Sequence, residues 1–100
     1  MSNIQVSPEL LKQFKRSIGD YNDDVLMEDY YNNYLLMAKS DLITDDISIE
    51  VLDSELGNAL TILYAEALMN KTDIATNPTI SLLRNKLSLI TKGDRADVHD

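Results

Sequence analysis

Asp20, Asn22 and Asp24 fall at alternating positions, the spacing with which a calcium-binding loop presents its first three oxygen ligands. The match ends there. The sixth position of such a loop would be Val25, where the sharp turn requires glycine, and the twelfth would be Tyr31, where a bidentate Glu is required. Asp24 and Glu28 stand one helical turn apart, as a carboxylate pair for acid–base work or a di-metal centre would. Such a centre draws on further Glu and Glu-x-x-His motifs, however, and the one histidine is at position 99. There is no cysteine, no phosphate-binding glycine loop and no nucleophile elbow. The expectation is a protein that is not an enzyme, with no catalytic, metal or cofactor residues, whose acids cap helices and form a solvated face.

Two other sets of polar groups sit in apolar surroundings. Glu66 lies between Ala65 and Ala67, and it reads either as an exposed residue on a narrow polar strip with Glu55 or as the partner of Arg84 or Lys86. The tyrosines at 21, 30, 31, 34 and 64 could stack on bases, but acids beside them and helical spacing favour packing in a core or an interface.

These residues need elements to hold them, and the pattern predicts an all-α fold of four helices over about 8–18, 23–41, 49–71 and 78–92. Three Gly and two Pro are few punctuators for a many-stranded protein. Ser7-Pro8-Glu9 supplies a cap, a first-turn proline and a first-turn acid, with Leu10, Leu11, Phe14 and Ile18 inward and Gly19 as the stop. Asn22 or Asp23 caps the second helix, which turns Met27, Tyr31, Tyr34, Leu35, Ala38 and Leu42 to the core, with Tyr30 and Met37 at its flanks. Asn77-Pro78 opens the fourth, with Ile80, Leu83, Leu87 and Ile90 inward. Gly93 is expected to close it, leaving 94–100 as a flexible charged tail after a single domain spanning 1–93.

The third helix is expected to be apolar on two sides. Leu52, Leu56, Ala59, Leu60, Leu63 and Ala67 share one face, Ile62, Ala65 and Met69 the opposite one, and Tyr64 and Leu68 fall between. The second face is expected to meet another copy or another protein. Leu82 and Leu89, two turns apart and off the Leu83/Leu87 stripe, form a ridge suited to the same task.

The chain of 100 residues has a net charge of −8, with acids gathered at 20–29 and 41–55. Such a field repels a DNA duplex, so direct nucleic-acid binding is disfavoured. The N-terminal residues lack a basic start and an apolar run, and no segment approaches the ~20 apolar residues of a membrane span, so the expectation is a soluble protein made in a cytoplasm.

Over about residues 7–92 the layout resembles the small helical head–tail connector (adaptor) proteins of long-tailed bacteriophages. The likeness lies in a short leucine-bearing first helix, the acid pair opening the second (Asp23-Asp24-Val25-Leu26), an apolar third helix with a late tyrosine (Leu63-Tyr64), and Ser81-Leu82-Leu83-Arg84 near the end. Many members carry an arginine soon after that tyrosine, where this chain has Ala65-Glu66-Ala67. The resemblance implies a virion protein at the capsid portal vertex, a ring of identical subunits that joins head to tail and passes DNA during packaging and ejection. Its partners would be other copies of itself, the portal protein and the next connector, stopper or tail protein, with DNA as non-specific cargo and no membrane. On this reading Ile62, Tyr64, Ala65, Glu66, Met69, Leu82 and Leu89 form the subunit interface, and Asp20, Asp23, Asp24, Glu28, Asp41, Asp45 and Asp46 are candidates for an acidic lumen. The tail residues Lys92, Arg95 and Val98 would dock on the portal. The alternatives are a small acidic DNA mimic that inhibits a partner, and a helical regulator.

Overall fold

The computed structural model describes the backbone of residues 4–98 and the side chains of residues 4–93. The described chain is all-helical, in the order α1 (Pro8–Ile18), α2 (Val25–Thr44), α3 (Ile49–Leu52), α4 (Glu55–Met69) and α5 (Pro78–Val98).

The helix ends follow local chemistry. Ser7 accepts the Leu10 N–H at the start of α1, and Gly19, at φ 76°, closes it with the paired bonds from Gly19 N–H to Arg16 and Asp20 N–H to Lys15, a Schellman stop. Asp24, not the expected Asn22 or Asp23, accepts the Leu26 N–H to open α2, and the helix runs on to Thr44 rather than ending near 41. Asn77 accepts the N–H groups of Thr79 and Ile80 to open α5. α4 ends in a second Schellman stop, with Lys71 N–H bonded to Leu68 and Thr72 N–H to Ala67. Here the left-handed residue is Lys71, at φ 57°, without the freedom glycine would bring.

Two further boundaries differ from expectation. The single helix expected over 49–71 is two, α3 and α4, broken at Asp53-Ser54. Ser54 carries both sides of the break, because its hydroxyl donates to the Val51 carbonyl and accepts the Gly57 N–H. The corner is tight enough that Gly57 lies directly against the Leu52 backbone, where a Cβ would come within 2.0 Å of the carbonyl oxygen. Gly93 does not close the last helix, which continues to Val98; a glycine alone is a weak stop when its φ stays out of the left-handed region.

α4 is the hub and packs against every other helix, with α2 and α5 as its two largest neighbours. The core gathers Leu10 and Phe14 of α1, Tyr31, Leu35, Ala38 and Leu42 of α2, Val51 and Leu52 of α3, Leu60, Tyr64, Ala65 and Ala67 of α4, and Ile80 and Leu87 of α5, closed by Ile47. Phe14 and Tyr31 meet edge to face, 5.5 Å between ring centres. Two buried threonines satisfy their hydroxyls internally: Thr61 donates to the Gly57 carbonyl within α4, and Thr91 accepts the Ser48 N–H, which ties α5 to the start of α3.

The enclosure of α4 overturns the expectation that its second face is free. Ala65 is 0% exposed and Tyr64 is buried, while Ile62 and Met69 are partly covered and pack against the core. Leu56 and Ala59, expected inside, are exposed instead. The break at Asp53-Ser54 is the physical reason, because it lets α4 rotate relative to α3 and carry Ala65 inward. Ile90 and Met27, also expected inward, stand in the exposed class.

Candidate functional site

Exposed apolar surface collects on two helices that flank α4. On α2, Leu26, Tyr30 and Met37 face away from the core, with Val25 and Met27 beside them, and Leu26 reaches 79% exposure. Tyr30 packs edge to face against both Tyr31 and Tyr34, 6.0 and 5.1 Å between centres, so this face is pre-ordered by aromatic contacts. On α5, Leu82 and Leu89 are each 67% exposed, on the side opposite buried Ile80 and Leu87. The ridge expected of Leu82 and Leu89 therefore exists as exposed surface; the α2 face is broader than its flanking positions had suggested. Scattered single apolar residues are ordinary on a protein surface, whereas contiguous rows mark contact sites.

The acids of the expected lumen form two groups. Asp20, Asp23, Asp24 and Glu28 lie at the start of α2, and Asp41, Asp45 and Asp46 at its end, about 30 Å apart along a helix of 20 residues. Most of them are engaged within the molecule. Asp20 accepts the Asn22 N–H and the Tyr31 hydroxyl. Those hydrogen bonds, Tyr31's first, hold the Asp20 carboxyl below its usual range. The same bond, with burial adding to it, pushes the Tyr31 phenol up to about 12. Glu28 pairs with Lys15 at 2.9 Å, a bond that raises the lysine. Asp41 accepts the Tyr64 hydroxyl at 3.1 Å; burial, more than this bond, raises that phenol. Asp45 pairs with Arg84. The Asp20–Asn22–Asp24 turn thus spends its oxygens on a tyrosine, a backbone amide and a helix cap, and no group able to hold a metal occurs among the described residues.

Glu66 takes neither expected cation. Half-buried, its carboxylate accepts the Ser17 hydroxyl at 2.7 Å and so ties α4 to α1. Lys86 and Lys92 are exposed on α5. The side chains of Arg95 and Val98, and His99 altogether, lie outside the described residues.

Sequence reasoning passed over Lys39. Its buried ammonium donates to the Gln5 carbonyl at 2.8 Å and to Asp53 at 3.1 Å, fastening the N-terminal arm and the α3–α4 corner to α2. The available signal was a lone cation one position off the core stripe of α2. A cleft of about 410 Å³ between α1 and the start of α2 sets Lys12, Lys15 and Arg16 against Asp20, Asp23 and Glu28. Its charges are of both signs, and Lys15 is paired with Glu28. No helix among the described residues is long and apolar enough to cross a membrane. No family model matches the chain, and neither the curated proteins nor the solved structures yield a match.

Proposed function

We propose that this protein is a structural assembly subunit, a head–tail connector that forms a ring at the portal vertex of a phage capsid. The observation that carries this reading is the presence of two unlike exposed apolar faces, α2 with Leu26, Tyr30 and Met37, and α5 with Leu82 and Leu89, on helices that flank the central α4. A ring of identical subunits needs two different complementary patches per copy, because a self-complementary patch closes a dimer and stops. The interface role once assigned to Ile62, Tyr64, Ala65 and Met69 passes to these faces, since those side chains serve the core. The engaged carboxylates weaken the DNA-mimic alternative: a mimic must hold out a row of free negative charge, and here Glu28 and Asp45 are paired with cations while Asp20, Asp24 and Asp41 are held in hydrogen bonds within the molecule.

The test is co-sedimentation of the purified chain with a phage portal protein, followed by electron microscopy of the product. Closed rings stacked on the portal are the expected result. A chain that stays in the supernatant beside the portal, and forms no closed oligomer with it, refutes the connector reading.

A further inference from the structure

The two exposed faces carry the same spacing. On α2 the outward positions Leu26, Tyr30, Asn33 and Met37 follow intervals of four, three and four residues, and on α5 the outward positions Leu82, Lys86, Leu89 and Gly93 do likewise. Every one of these residues is exposed. Such intervals define a straight seam for a second helix crossing at a shallow angle, about 16 Å long in each case. Equal seams on one chain still leave three pairings open: α2 on α2, α5 on α5, or α2 on α5.

Charge selects among them. The exposed charges of α2 and its cap are carboxylates, namely Asp23, Asp24 and Asp29 at one end and Asp41 at the other. Its single cation, Lys39, is buried and turned inward to Gln5 and Asp53. Residues 78–93 of α5 contain no acid, the helix's two acids being Asp94 and Asp97 near its end, and of the three cations in that stretch Arg84 alone pairs with an acid among the described residues, Asp45. Packing α2 on another α2 sets acids against acids, and packing α5 on another α5 brings Lys86 toward its own counterpart. The mixed pairing satisfies both charge and apolar area.

Resting on the assembly reading above, the geometry points to a second copy of this chain as the occupant: α2 of one subunit seats antiparallel on α5 of the next. Antiparallel register sets Met37 opposite Leu82, Asn33 opposite Lys86 and Tyr30 opposite Leu89. Leu26 then falls on Gly93, where the absent side chain leaves room. Polar meets polar and apolar meets apolar, whereas the parallel register would put Asn33 on Leu89 and Lys86 under Tyr30. The antiparallel arrangement also brings the carboxylates at the end of α2 to the N-terminus of α5. One contact leaves α5 unused on the first copy and α2 unused on the second, so the contact repeats until the rotation closes.

The absence of native cysteine makes this directly measurable. Full-length Met37→Cys and Leu82→Cys chains are mixed and oxidised at millimolar concentration, with each alone as control, and sedimentation of the unmodified chain is measured alongside. The mixture should give a disulfide-linked heterodimer at least tenfold more abundant than the self-linked product of either variant. The double variant should give a ladder of multimers. Lys86→Glu should cut the heterodimer about tenfold, and Asn33→Lys in the partner chain should restore it. Self-linked dimers that equal or exceed the mixed product overturn the pairing in favour of a symmetric contact. Self-association in sedimentation without the mixed cross-link overturns the pairing and leaves the assembly reading standing. No cross-link together with a strict monomer overturns both.

Discussion

Gly57→Ala separates a helix-propensity argument from a packing argument by the sign of its effect. Gly57 lies in the first turn of α4, where alanine would ordinarily add about 1 kcal/mol of helix stability. The alanine Cβ, however, would stand 2.0 Å from the Leu52 carbonyl oxygen, 2.3 Å from its carbon and 2.6 Å from its Cα. Comfortable contacts of this kind begin at about 3.5 Å, so α3 and α4 would have to separate by more than about 1 Å at a corner fixed by the Ser54 and Lys39 bonds. Overpacking of this severity costs about 3 kcal/mol, which leaves a net loss of about 2 kcal/mol after the propensity gain. At about 4–8 °C per kcal/mol for a domain of this size, the melting temperature should fall by about 8–16 °C, read by circular dichroism at 222 nm. Gly93→Ala is the internal control: its Cβ would meet nothing within 4 Å, so it should gain about 1 kcal/mol from propensity alone. If Gly57→Ala melts at or above the parent temperature, the close α3–α4 corner is wrong, and with it the explanation of how Ala65 reaches the core.

Other outcomes follow from the same structure. Ala65→Asp places an unpaired carboxylate at a fully buried position and should unfold the chain at a cost of several kcal/mol, whereas Met37→Asp and Leu82→Asp should leave the far-ultraviolet spectrum and melting temperature nearly unchanged. Lys71→Gly relieves a left-handed lysine at the end of α4 and should stabilise by about 1 kcal/mol in urea unfolding. The Tyr31–Asp20 bond should shape both limbs of the pH profile. The folded state holds the Tyr31 proton more tightly than the unfolded state does, so its stabilisation is complete below pH 10.0 and declines as pH rises toward about 12. The folded state also favours the Asp20 anion, so that contribution is present above 3.8 and is lost as pH falls below it. Tyr31→Phe should flatten both limbs, as measured by stability against pH.

Much of this protein was written into local sequence signals. Ser7-Pro8, Gly19 and Asn77-Pro78 act within a few residues of themselves, so α1 and the start of α5 could be read from caps and turns, and the core positions Leu10, Phe14, Leu35, Leu87 and their neighbours from helical spacing; among the run of polar residues at 20–24, local pattern did not single out Asp24 as the cap of α2. The all-helical class followed from the same local physics. Tertiary structure decided which apolar faces meet. The Asp53-Ser54 break reads as an ordinary polar interruption, and only the approach of Gly57 to Leu52 shows that it rotates α4. That rotation buries Ala65 and exposes Ala59. Periodicity cannot report such a change of phase, because it fixes the angles between side chains on one helix and leaves the orientation of that helix against its neighbours free. The partners of Glu66, Asp41 and Lys39 were hidden for a related reason: each bond joins residues far apart in the chain, and their meeting depends on how α1, α3 and α4 settle around α2. The two faces left over, on α2 and α5, are therefore a product of packing, since only the finished arrangement determines which apolar surface the chain cannot cover by itself.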